Sequence, residues 1–270
     1  MRTLIHLSDL HFGAVDESLI APLREKILTL APDLIVVSGD LTQRAQIAQF
    51  EQARQFLDTL PTPQIIVPGN HDIPLHNIAR RFLRPLDRYK RYITSDLEPS
   101  YVDSEIAIVG LNSARSATIK RGRINAGQIL RARERLEHAS PQAIRIVVSH
   151  HPFDALDAVG TDIVGRAHLA MQTFAACGVD VLLSGHLHAA TTIETASRYR
   201  IQGFAAIVVQ AGTATSIRRR GENNSFNVLR IERTRISVQP HAWIPVAGEY
   251  QASSETLFSH SGDGWSQLSG

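Results

Sequence analysis

Sulfur is scarce in this 270-residue chain, which carries one cysteine, Cys177. A single thiol excludes an intramolecular disulfide framework and suits a reducing compartment. Cys177 falls on an apolar helical face beside Phe174, where it reads as a small buried hydrophobe. An excess of charge of one sign is also missing. With 28 basic and 26 acidic residues the formal net charge is +2, so neither nucleic acid nor an anionic membrane is required as a partner. Long hydrophobic runs are absent too. A membrane span needs roughly 20 apolar residues, and no stretch approaches that. The opening Met1-Arg2-Thr3-Leu4-Ile5-His6-Leu7 is too short for a signal peptide and is interrupted by Asp9. The chain is therefore expected to be soluble and cytoplasmic.

What the chain does have is 43% hydrophobic side chains, enough for one substantial core. The expectation is a single domain over residues 1–250, with a candidate basic lid at 75–98 and a flexible Ser- and Gly-rich tail at 251–270. Apolar runs fall at Leu4–Leu7, Asp33–Val37, Gln64–Val67, Ile144–Val148 and Val179–Leu183. Their length and the continuity of the second fit strands buried on both faces of a parallel sheet. Between them, helical spacing marks Glu17–Leu30 and Thr42–Leu60, and Asn125 is placed to cap a helix over Ala126–His138. Tyr101–Val102 and Ile106–Leu111 read as paired strands. Ala205–Gln210 reads as another, and Ser225–Ile231 with Ile236–Gln239 as a hairpin. Strands alternating with helices make an α/β domain, whose ligands bind outside the carboxyl ends of parallel strands.

Each of the first five strand ends runs into residues that can hold a metal. Asp9 and His11 follow the first, and residues two apart in an extended segment project to one side. Asp40 follows the second, with Gly39 permitting close backbone approach. Pro68-Gly69 turns the third strand into Asn70-His71-Asp72. His150 follows the fourth, and His186 with His188 the fifth. Clustered ligand residues at convergent strand ends mark a metal or catalytic site. Two carboxylates, one amide oxygen and four imidazoles exceed what a single ion needs. Two metals are therefore expected, with Asp40 bridging them. Asp9, His11 and His188 complete one site, and Asn70, His150 and His186 the other. Such a pair, about 3.5 to 4 Å apart, suits a bridging hydroxide that attacks an anionic phosphoester. His71, held by Asp72, would protonate the departing oxygen. The lack of thiolate ligands points to Mn, Fe, Zn or Co without choosing among them.

The set Asp9-Leu10-His11, Gly39-Asp40, Gly69-Asn70-His71-Asp72, His150 ahead of Pro152, and Gly185-His186-Leu187-His188 resembles the calcineurin-like metallophosphoesterases in order and spacing, over about residues 1–240. The resemblance implies a four-layer αββα fold, two β-sheets packed together with helices outside. It also implies the seven metal ligands named above and His71 as the catalytic histidine. Gly39-Asp40-Leu41-Thr42 looks most like the class III cyclic nucleotide phosphodiesterases and their bacterial relatives. Ser/Thr phosphatases carry Asp-Arg-Gly after the Gly-Asp motif; here Gln43-Arg44-Ala45 stands there, which argues against a phosphoprotein substrate. A small phosphodiester is the expected substrate, and a homo-oligomer is compatible with the sequence. A nuclease or a pyrophosphatase of lipid precursors shares the core motifs, and a non-catalytic interaction protein on this fold is the third reading.

Some polar residues carry two readings. Arg44 would touch substrate phosphate or simply face water on a helix. His151 would contact substrate or support the site from behind. The basic segment from Leu75 to Tyr92 would be a lid or an amphipathic helix with a solvated basic face. The loop Gly212–Gly221, with Arg218-Arg219-Arg220, would reach the non-reacting part of the substrate or lie in solvent.

Overall fold

The computed structural model describes residues 1–118, 120–154, 163–188, 190–195, 199, 201–218, 221–262 and 264–268. Arg219 and Arg220, part of the loop expected to reach substrate, lie outside the described residues. The apolar runs form parallel strands because their β-branched residues are buried on both faces. Strands β1 (Arg2–Leu7), β2 (Leu34–Val37) and β3 (Gln64–Ile66) pair in parallel. The chain then forms β4 (Ser100–Val102), β5 (Ile106–Leu111), β6 (Ile144–Ser149), β7 (Val181–Ser184), β8 (Thr191–Glu194) and β9 (Ile207–Gln210). These six make a second sheet in the order β4-β5-β6-β7-β9-β8. Strands β10 (Ser225–Glu232), β11 (Arg235–Ile244), β12 (Glu249–Ala252), β13 (Thr256–Ser261) and β14 (Gly264–Gln267) return to the first sheet, in the order β14-β13-β11-β10-β1-β2-β3, with β12 paired to β11.

Alternation along the strands divides the core. Leu4, Leu34 and Val36 of the first sheet pack with Ile108, Ile146, Val148 and Leu183 of the second, so the two sheets meet face to face. Their neighbours Ile5, Ile35 and Val37 point the other way, against α1 (Ile20–Leu30) and α2 (Ile47–Asp58). Val109, Val147 and Leu182 pack under α5 (Ala126–Glu137) and α6 (Ala167–Ala176). Four layers result, as the resemblance implied. Asn125 caps α5 by accepting from the Gln128 backbone N–H, and Cys177 is buried beneath α6 with its thiol pushed up to about 11 by burial. Among the described residues no helix is long and apolar enough to cross a membrane.

Two expectations are corrected. The segment from Leu75 to Tyr92 is not one helix but two short ones, α3 (Ile78–Leu83) and α4 (Asp87–Tyr92), interrupted at Pro85, and its faces are partly inverted. Arg81 is buried, donating to the carbonyls of Pro74, Ser116 and Thr118. Those bonds turn Ile78, Phe82 and Leu83 outward, while Leu86 and Tyr89 enter the core. The supposed flexible tail is also ordered. Glu249–Ala252, Thr256–Ser261 and Gly264–Gln267 form β12, β13 and β14, because their few apolar side chains sit where pairing buries them: Tyr250, Phe258 and Trp265 are all at most 2% exposed. The Trp265 indole N–H donates to Asp180 Oδ1 at 2.8 Å, fastening an edge of the first sheet to the start of β7 in the second.

Replacing Trp265 by alanine is therefore expected to lower the unfolding free energy by about 3–5 kcal/mol, measured by urea denaturation. A flexible tail would leave the midpoint unchanged.

Candidate metal centre

The carboxyl ends of β1, β2, β3, β6 and β7 converge where the two sheets meet, and those of β1, β2 and β7 deliver their ligands through strained turns. Asp9, His11, Asp40, His186 and His188 all have positive φ, between 51° and 72°. Non-glycine residues in this region cost of order 1–3 kcal/mol each and persist where surrounding structure fixes them. The pairs Asp9/His11 and His186/His188 thus converge through left-handed backbone rather than through the simple alternation of an extended strand. Gly39, at φ 94°, lies so close to the site that a Cβ there would stand 2.8 Å from His150 Nδ1. A Cβ at Gly185 would overlap the Ser8 hydroxyl, which itself donates to Asp9 Oδ2 at 2.7 Å.

The polar atoms at the centre are nearly all acceptors. His150 Nδ1 donates to Ser38 O at 2.8 Å, leaving its Nε2 lone pair facing inward. That nitrogen lies 3.1 Å from Asn70 Oδ1, 3.3 Å from His186 Nδ1 and 3.3 Å from Asp40 Oδ2. Beside it, Asp9 Oδ1 lies 3.4 Å from His11 Nε2 and 3.6 Å from His188 Nε2, with Asp40 Oδ2 3.7 Å from His11 Nε2. Asp9 Oδ1, Asp40 Oδ2 and His11 Nε2 are buried without a hydrogen-bond partner. Lone pairs packed this closely in a dry interior repel unless a cation stands among them. Two of the ligand groupings that hold together within 4.8 Å are Asp9, His11 and His188, and Asp9, Asp40 and His150. The arrangement fits divalent ions.

The electrostatics agree. Burial would raise the pKa of both Asp9 and Asp40, yet the imidazoles beside them hold both carboxyls below the usual range, so they stay ionised. Burial also opposes charge on His150, but the Asp40 carboxylate outweighs it and lifts that imidazole to about 9. A proton there takes the place that a metal would fill. His186, buried and next to His150, is pushed down to about 3 and is neutral.

The orienting residues differ in part from expectation. Asp72 does not hold His71. Its carboxylate accepts from the backbone N–H groups of Leu41, Thr42 and Gly69 and from the Thr42 hydroxyl, tying the end of β2 to the turn after β3. The 3-10 turn Asn70–Asp72 points the carboxylate away from the ring, and His71 Nδ1 donates instead to Gln43 O at 3.0 Å. His151 is a second correction. It is 1% exposed, and both ring nitrogens are engaged, Nε2 donating to Lys120 O and Nδ1 bonded to Ser113 Oγ, so it supports the wall behind His150 and His186 and cannot reach a substrate. Arg44 is exposed and precedes α2 rather than lying on it, and its guanidinium meets His76 Nε2 at 3.3 Å. The loop Gly212–Gly221, which the sequence offered as a substrate contact or a solvated loop, instead touches two of the site histidines. Thr213 Oγ1 lies 2.8 Å from His188 Nδ1, and Arg218 Nη1 donates to His71 Nε2 at 3.0 Å. Both sit in the loop after β9, whose composition resembles any polar loop.

Residues 2–190 match the profile of the calcineurin-like phosphoesterases. The chain belongs to this family. Among its relatives, a probable cyclic nucleotide phosphodiesterase of Synechococcus is 27% identical over 212 residues, 70% of this chain and 74% of that protein. A glycerophosphodiester phosphodiesterase of Enterobacter lignolyticus is 30% identical over 129 residues, covering 38% of this chain and 44% of the relative. The fold also matches the purple acid phosphatase of yellow lupin seeds, with a TM-score of 0.69 at 13% identity over 96% of this chain and 53% of that one. At that identity the likeness concerns the fold.

His188 depends on Thr213 for its orientation. Thr213→Val is expected to weaken metal binding about 10- to 100-fold, read by calorimetric titration of the metal-free protein with Mn(II).

Proposed function

We propose that the protein is a dinuclear metal-dependent phosphodiesterase acting on cyclic nucleotides or similar small phosphodiesters. The observation that carries this reading is the convergence of metal-ligating side chains from five parallel-strand ends of both sheets around the buried, unpartnered Asp9 Oδ1, Asp40 Oδ2 and His11 Nε2. One ion would be held by Asp9, His11 and His188 and the other by Asn70, His150 and His186, with Asp40 between them. When bound, such ions supply Lewis acidity toward a phosphoryl oxygen and lower the pKa of coordinated water. The names of the relatives favour diesters: one is called a cyclic nucleotide and the other a glycerophosphodiester phosphodiesterase.

The chain's own groups divide the remaining work. With only Asp9 and Asp40 as anionic ligands, the loaded site keeps a net positive charge that attracts a phosphodiester anion. Ser38 O and Thr213 Oγ1 fix the rings of His150 and His188 so that each presents Nε2 inward. His71 stands at the edge of the centre, its ring 4.9 Å from that of His11. With Nδ1 committed to Gln43 O, its Nε2, which accepts from Arg218 in the resting site, is the atom that would take up the proton released as the attacking water ionises and pass it to the departing oxygen. Burial lowers the pKa of His71, so the ring is neutral at rest and readily gives up a proton that it takes up.

A second reading, a phosphodiester with an apolar tail, is favoured by one observation: Ile78, Phe82 and Leu83 of α3 are 71%, 59% and 80% exposed, a few residues along the chain from His71. An outward apolar face of this kind fits acyl chains better than a nucleoside.

The test is turnover of bis(p-nitrophenyl) phosphate, p-nitrophenyl phosphate, 3′,5′-cyclic AMP, glycerophosphocholine and lysophosphatidylcholine by metal-free protein reconstituted with Mn(II). Hydrolysis of the first diester together with cyclic AMP supports the main reading, and preference for the acylated diester the second. His71→Ala should reduce kcat by roughly 10²- to 10⁴-fold while retaining the metals. Full activity in that variant would remove the proton-donor role, and failure of the wild type on every ester would overturn the phosphodiesterase assignment.

A further inference from the structure

Arg218 stands out among the charged residues around the site because its guanidinium faces no anion. It donates through Nη1 to His71 Nε2 at 3.0 Å and more distantly to Gln43 Oε1 at 3.4 Å. Among the described residues no carboxylate pairs with it. A guanidinium carries five donors arranged to bind an oxyanion through two parallel bonds, and here it rests on a neutral nitrogen lone pair. That nitrogen is also the atom that must face the departing oxygen. The side chain therefore occupies the position into which the scissile group would come.

The base of Arg218 is held firmly although its end is exposed. Its backbone N–H donates to Ser216 Oγ at 3.1 Å, and Ser216 Oγ in turn donates to Ala14 O. Ile217 N–H also donates to Ala14 O, and Asn224 Nδ2 donates to the carbonyls of Ser216 and Thr213. The loop stem is thus fixed against the segment that follows Asp9 and His11, and Thr213 in the same stem orients His188. A cation on an anchored stem and a flexible side chain can swing a short distance without moving the loop.

We propose that Arg218 is a substrate-binding residue that recognises the anionic phosphoryl group. The non-bridging oxygens draw the guanidinium away from His71 Nε2, and this exchange leaves the imidazole free to face the leaving group. The site is then assembled by the substrate it acts on, since only an oxyanion offers the guanidinium a better partner than the imidazole. The inference rests on the phosphodiesterase reading for its substrate, but the binding claim can be measured separately.

The experiment compares wild type, Arg218→Lys and Arg218→Ala, all reconstituted with Mn(II). Arg218→Ala should raise both the KM for bis(p-nitrophenyl) phosphate and the Kd for inorganic phosphate about 10- to 100-fold, with a smaller change in kcat. The lysine variant, which keeps the charge but loses the fork, should fall between, and added guanidinium ion should lower the KM of the alanine variant. Unchanged KM and phosphate Kd, or a loss confined to kcat, would overturn the proposal while leaving the phosphodiesterase reading standing. If the wild type hydrolyses no ester, that reading fails, and the phosphate titration still decides whether Arg218 binds an oxyanion: equal Kd values for wild type and Arg218→Ala would refute it.

Discussion

The structure is built around the cost of placing acceptor atoms together where water cannot separate them. Asp9 and Asp40 are ionised and fully buried, and the imidazoles of His11 and His150 around them are equally inaccessible. An arrangement of this kind is stable only with positive charge among the oxygens and nitrogens. It also requires left-handed backbone at five ligand residues, each conformation unfavourable by itself. What holds those turns is the parallel strands beneath them. Leu7, Val37 and Leu183 lie at the ends of the strands that lead into these turns and are essentially inaccessible, so the strand ends cannot retreat to relax the strain.

The charge that matters is local. A net charge of +2 spread over 270 residues produces little long-range field. At the centre, however, two carboxylates would face two divalent ions, and the basic side chains nearby, Arg44 and Arg218, are both exposed and lack carboxylate partners among the described residues. Their guanidiniums rest on histidine nitrogens, His76 and His71, in place of anions. The rim of the site thus carries positive charge without a carboxylate partner among the described residues, which suits an anionic phosphoester, although the sequence as a whole gives no sign of a preference for anionic partners.

The residues that converge at the centre were legible because each is attached to a signal that survives in one dimension: an apolar run, a small residue, then Asp, Asn or His. The four layers followed from the same runs together with the family resemblance. Orientation was harder to read. Asp72 adjoins His71 in sequence and suggests a carboxylate–imidazole pair, but a 3-10 turn separates the two side chains, and a backbone carbonyl from Gln43 takes the role assigned to the acid. The segment containing Arg81 misled for a related reason. Periodicity assigns the apolar residues to the interior, whereas the carbonyls of Pro74, Ser116 and Thr118 draw an arginine inward and turn Phe82 outward. The C-terminal strands escaped notice because a short strand with one buried side chain, Phe258 or Trp265, has no run to detect.

The division of ligands between the sheets has a thermodynamic consequence. Asp9, His11, Asp40 and Asn70 leave strands of the first sheet, and His150, His186 and His188 leave strands of the second. Each proposed ion therefore draws ligands from both layers. Neither sheet alone presents a complete site, and the free energy of binding the ions is also free energy of docking one sheet on the other. At the opposite ends of these strands the sheets are fastened by an indole–carboxylate bond, Trp265 to Asp180. Between these ends the sheets meet mainly through apolar side chains such as Leu4, Val36, Ile108 and Val148, with Asn227 Nδ2 of β10 donating to Gln210 O of β9 at 3.1 Å. Apolar packing of that sort holds the sheets together but tolerates small sliding motions, whereas ligand geometry does not. The polar contacts at the two ends consequently fix the register in which the hydrophobic face is packed, and the proposed metal centre would be both the functional site and one of the constraints that align the sandwich.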